Sequence, residues 1–129
     1  MSYDLMVFDP AKAPVDKTSF IRWYGEQTKW SEDHSYSDIK VSSEQLQRFY
    51  EELILIFPSM NVDDDVFEAM EEAGTDNRLT EYSLGKEVIY AAFAWSVAED
   101  AYKMMRELAR KHNIGFFDVS GSDGEIIRP

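Results

Sequence analysis

The chain has 129 residues, room for one domain with one core, and its 44% hydrophobic and 14% aromatic content argues for a packed interior rather than disorder. It contains no cysteine, which excludes disulfides, thiol nucleophiles and sulfur-ligated metals. Thirteen Lys and Arg against twenty-five Asp and Glu leave a net charge of −12, a field that repels nucleic acid and anionic membranes and attracts a basic partner.

Tyr3 to Phe8 is short and apolar and is stopped by Asp9-Pro10, so it reads as a buried first strand. The opening MSYDLMVF has no basic region ahead of an apolar run, so no secretory signal is expected. No stretch approaches the ~20 apolar residues of a bilayer span, and a cytoplasmic protein is the expectation. Asp16 N-caps a helix whose stripe is aromatic, with Phe20, Trp23 and Tyr24 on one face. After a polar loop from Ser31 to Val41, Ser42 and Gln45 form a capping box. They open a second helix with Leu46, Phe49, Tyr50, Leu53 and Phe57 at helical spacing, ended by Pro58.

Residues 61–78 are the most acidic stretch, with no base before Arg78. Val66, Phe67 and Met70 allow a turn or two of helix, but Gly74-Thr-Asp-Asn reads as loop, so an acidic surface excursion is expected. Leu79 to Leu84 reads as a strand, followed by a turn at Gly85-Lys86. The run VIYAAFAW then favours a central buried strand, although its alanines leave a helix open. Ser96 and Glu99 make a capping box for a third helix lined by Val97, Ala101, Tyr102, Met105, Leu108 and Ala109. Phe116 to Ser120 and Glu125 to Arg128 close the chain as a hairpin.

The expected fold is therefore a single α+β domain over residues 1–129, with a mainly antiparallel four- to five-stranded sheet and three helices in the order β-α-α-β-β-α-β-β. Helices on one face of the sheet are the simplest way to bury these stripes. The core is expected to hold Leu5, Val7, Ile89, Ala91, Phe93 and Phe117 against the second and third helices.

Short motif matches carry little here. Tyr82-x-x-x-Lys86 has the spacing of a dehydrogenase pair, but no glycine-rich nucleotide loop accompanies it. Ser83-x-x-Lys86 copies a serine–lysine pattern on a turn rather than at a helix start. The segment beginning at Asp118 starts like a calcium loop, but Asp123 and Pro129 stand where that loop needs glycine and glutamate. Two isolated histidines and three adjacent aspartates do not converge on a cation, so neither a metal nor another cofactor is expected.

Two segments are candidate sites. In the first, His34 lies beside Glu32 and Asp33, which stabilise its imidazolium and suit it to acid–base work near neutral pH. Trp23, Trp30 and Tyr36 are candidates to frame a pocket around it. The competing reading is a loop whose aromatics tuck under the core and whose polar groups cap backbone. The second is the acidic segment, where Asp63, Asp64, Asp65, Glu68, Glu71 and Glu72 surround Phe67 and Met70. It offers charge to steer a basic protein and apolar anchors to hold it.

The stretches YDLMVFDP from Tyr3, Trp23-Tyr24 with WSEDHSY from Trp30, Phe57-Pro58 with Met60-Asn61, VIYAAFAW from Val88 and GFFD from Gly115 resemble a family of small uncharacterised bacterial proteins. The likeness spans nearly the whole chain apart from the acidic excursion. It implies a bacterial cytosolic protein and carries no catalytic assignment. On the residues alone the expectation is a non-enzymatic interaction protein, in its most concrete form an immunity protein or inhibitor that masks a basic toxin or nuclease. The alternative is a small-molecule binder or enzyme built on the Trp30–His34 loop.

Overall fold

The structure, a computed structural model, describes residues 2–129. Strand β1 (Tyr3–Phe8) is the middle of a five-stranded sheet. It pairs antiparallel with β3 (Val88–Phe93) on one side and β4 (Gly115–Phe117) on the other. Strand β2 (Glu81–Leu84) flanks β3, and β5 (Ile126–Ile127) flanks β4, both antiparallel. The hairpin between β2 and β3 turns at Gly85-Lys86, where the Gly85 N–H donates to the Val88 carbonyl at 2.9 Å.

Among the described residues there are four α-helices, one more than the sequence pattern suggests: α1 (Lys17–Gln27), α2 (Glu44–Leu53), α3 (Asp64–Ala73) and α4 (Ala98–Lys111). The observed order is β-α-α-α-β-β-α-β-β, which corrects the expected β-α-α-β-β-α-β-β. The additional helix is the acidic excursion itself. Asp64 and Asp65 lie in its first turn, where the positive end of the helix dipole favours carboxylates. Gly74 ends it in the left-handed region at φ 73°, a conformation that suits a residue without Cβ.

The helices also occupy both faces of the sheet, not one. Leu5, Val7, Ile89, Ala91 and Phe93 meet Leu46, Phe49 and Leu53 of α2 and Ala101, Met105 and Leu108 of α4 in the larger core. On the opposite face Met6, Phe8, Val88 and Phe117 meet Phe20 of α1. Phe117 therefore belongs to this second core, since Phe116 takes the α2–α4 side and neighbouring residues of a strand alternate. Edge-on aromatic contacts fill the second layer, with Phe20 centred 5.0 Å from Phe8 and 5.2 Å from Phe117. The uninterrupted apolar run from Leu5 to Phe8 already calls for cover on both sides, because a strand with one wet face alternates.

Two helix starts differ locally from the sequence reading. Ser43, not Ser42, caps α2 by accepting from the Leu46 N–H. Ser42 is buried and donates instead to the Gly85 carbonyl at 2.6 Å, tying the helix entry to the β2–β3 turn. Before α4, Trp95–Val97 form a short 3₁₀ turn, and Val97 precedes the helix with no side-chain cap, so the Ser96 and Glu99 box is not formed. At the far ends of α2 and α4, Glu52 binds Lys111 Nζ at 2.6 Å and also His112.

Candidate functional site

The loop around His34 is built as a brace. Glu32 accepts from the Lys86 backbone N–H at 3.1 Å and meets His34 Nε2 at 2.5 Å, while His34 Nδ1 faces the Ser35 carbonyl at 2.9 Å. The Tyr36 hydroxyl accepts from the Glu32 N–H at 2.6 Å, and the Tyr36 carbonyl accepts from the Leu84 N–H at 2.9 Å. The histidine side chain is only 11% exposed, and its ring lies 4.7 Å from that of Tyr36. Its pKa is raised, first by the Ser35 carbonyl and then by Glu32, because both acceptors favour the doubly protonated ring. With both nitrogens taken by protein acceptors, His34 has none free to turn on a substrate. Asp33 is exposed.

Of the three pocket candidates only Trp23 stands apart, while Trp30 and Tyr36 stay in contact beside His34. Trp23 packs on Phe8 and Phe20 in the second core. Trp30 sits edge-on to Tyr36 at 5.2 Å and to Tyr90 at 5.8 Å, turned that way by a left-handed backbone at φ 52°. That conformation is strained for a bulky residue and places the indole over the sheet.

The acidic helix α3 buries none of its residues, and its neighbours are chiefly those of the turn that follows it. Asp63, Asp64, Asp65, Glu68, Glu71 and Glu72 are all exposed, Val66 and Phe67 are 46% and 40% exposed, and Met70 is half-buried. Arg78, the first base beyond the acidic run, is engaged elsewhere: it meets Asp100 at 3.3 Å and lies over the Phe57 ring at 5.1 Å. The helix thus keeps its charge, Val66 and Phe67 open to another surface.

A third feature escaped the sequence reading. On the α1 side of the sheet, beyond the cover that α1 provides, lies a cleft of about 380 Å³. Its floor carries Asp4, Ala92 and Glu81, and its walls include Tyr24, Trp30 and Tyr90. The Tyr90 hydroxyl donates to Asp4. Burial and then the Asp4 carboxylate push the Tyr90 phenol far above its ordinary pKa, so it stays a neutral donor. Glu81 and Ser83 also line an adjoining concavity of about 540 Å³ with Tyr36 and Met60, which carries the depression over the β2 edge. One clue was present in the sequence: Asp4 is a lone carboxylate inside an otherwise apolar strand, and such a residue is rarely placed there without a partner.

No helix among the described residues is long and apolar enough to cross a membrane, and no group of three or more His, Asp or Glu among them is placed to hold a metal ion. The chain matches no protein-family model, no curated protein and no solved structure.

Proposed function

We propose that this chain is a small acidic interaction protein whose partner is a basic protein, in its most concrete form an immunity-type inhibitor that covers the basic surface of a toxin or nuclease. The observation that carries the reading is α3, a complete helix with no buried residue. Its six carboxylates go uncompensated, and Val66 and Phe67 lie in the open. Such a helix carries like-charge repulsion and exposed apolar side chains in the free protein, and a basic surface with apolar ground of its own relieves both. Charge would set the rate of encounter and the apolar side chains the lifetime of the complex. With both ring nitrogens engaged within its own loop, His34 lends no support to the enzymatic alternative.

The test is a kinetic one, on a basic protein captured from source cells, at low and at moderate salt. Replacing Asp63, Asp64 and Asp65 together by Asn should slow association and flatten its salt dependence, because screening acts over only ~8–10 Å at ordinary ionic strength. Phe67→Ala should leave association alone and speed dissociation. Rates unchanged in both variants would reduce α3 to a solubilising helix and remove the basis of this reading.

A further inference from the structure

We propose that the cleft on the α1 side of the sheet is a binding site for an organic cation, a primary ammonium or guanidinium group on a short aliphatic stem. The site is separate from α3, and the inference does not depend on the reading above.

Asp4 and Glu81 are both cross-strand partners of Ala92, one from β1 and one from β2. The two carboxylates therefore stand in one row, roughly 10 Å apart at the backbone, which is twice the spacing of neighbouring strands. Only a methyl group lies between them. Among the described residues neither carboxylate takes part in an ion pair. The hydroxyls of Tyr90 and Ser2 that donate to Asp4 are neutral and leave its charge uncompensated. Two like charges facing each other across a hollow focus a negative potential into it.

The walls select the kind of cation. A divalent metal requires several oxygens converging at ~2.3–2.6 Å, which two carboxylates on non-adjacent strands do not supply. The rings of Tyr24, Trp30 and Tyr90 instead line the cleft, and the face of such a ring attracts ammonium and guanidinium groups when they are partly desolvated. No Lys or Arg lines the cleft to exclude them. Thr28 and Ser83 add hydroxyl oxygens for the remaining N–H groups. A volume of about 380 Å³ suits a group of this size with part of its stem.

The experiment titrates the isotope-labelled full chain by NMR with butylammonium and butylguanidinium. The same two groups are also offered on blocked lysine and arginine amides, and butyrate serves as the sign control. At least one cation should give saturable shifts centred on Tyr90, Ala92 and the Trp30 indole. Glu81→Gln, an exposed substitution on the edge strand, should weaken that affinity by roughly 10-fold, as expected for loss of one charged partner. Asp4→Asn should weaken it at least as much if the variant stays folded. Asp64→Asn in α3 should leave it unchanged, which keeps this test distinct from the first. Binding of the blocked amino acids alone would mean that the cation arrives on a peptide chain. Binding of the free alkyl cations would point to a small amine, and either supports the site. Three results would overturn it: no saturable shift with any cation, equal shifts with butyrate, or an affinity indifferent to Glu81→Gln.

Discussion

Glu32 holds the His34 imidazole at 2.5 Å while anchoring the Lys86 backbone N–H, so one carboxylate joins the loop after α1 to the β2–β3 turn. The raised histidine pKa means that the folded state binds the proton more tightly than the unfolded chain. The stabilisation is fully present below the ordinary histidine value of 6.5 and disappears as pH climbs through the elevated folded value. Glu32→Gln should lower the His34 titration midpoint, as followed by imidazole proton shifts. The melting-temperature gap between wild type and variant should be widest in mild acid and close in alkali. A gap that widens with alkali would show that the pair does not act in this way.

The two serines at the start of α2 should respond differently to alanine. Ser43→Ala removes a long N-cap contact and should cost about 1 kcal/mol or less. Ser42→Ala removes a buried hydrogen bond of 2.6 Å and leaves the Gly85 carbonyl short of a donor, at a cost of about 1–3 kcal/mol. Urea unfolding of the two variants decides the order, and a larger loss for Ser43 would restore the cap to the dominant role.

Gly115 pairs with Phe8 across β1 and β4, and a Cβ at that position would overlap the Phe8 ring. Because Phe8 is wholly buried between Phe20 and Trp23, its ring has no room to withdraw. Gly115→Ala should therefore destabilise the fold by about 1–3 kcal/mol, the range for overpacked cores. At Gly74 nothing crowds the site, and only the left-handed backbone is at issue, so Gly74→Ala should cost about 1 kcal/mol. Equal losses in thermal melts would mean that the β1–β4 contact is softer than it looks.

Phe49 and Phe67 both sit on helices, and their truncation should separate folding from surface. Phe49→Ala empties a fully buried position between α2 and the sheet and should cost about 3–5 kcal/mol. Phe67→Ala, at a position 40% exposed, should change stability by less than about 1 kcal/mol. A large stability loss at Phe67 would place α3 in the core and count against its role as a docking helix.

What the sequence determined by itself was local. The span of β1, the Asp16 cap of α1 and the apolar stripes of α2 and α4 depend on residues within a turn or two of one another. The Gly85-Lys86 turn belongs with them, and the structure places these where the periodicity did, except that α2 ends at Leu53, a turn before Phe57 and Pro58. Tertiary structure decided the rest. Whether Phe20, Trp23 and Tyr24 pack on the same face as α2 depends on what already fills that face, which no helical period encodes. That α3 forms without a buried residue draws on its own dipole and on the left-handed Gly74, a balance that its acidic composition obscured. The cleft lay furthest from view, because Tyr90 and Asp4 are 86 positions apart and Asp4, Ala92 and Glu81 share a row only through the register of three strands. Register is set by the summed burial of whole strands, so the neighbours it creates across a sheet leave no pattern in the sequence around any one of them.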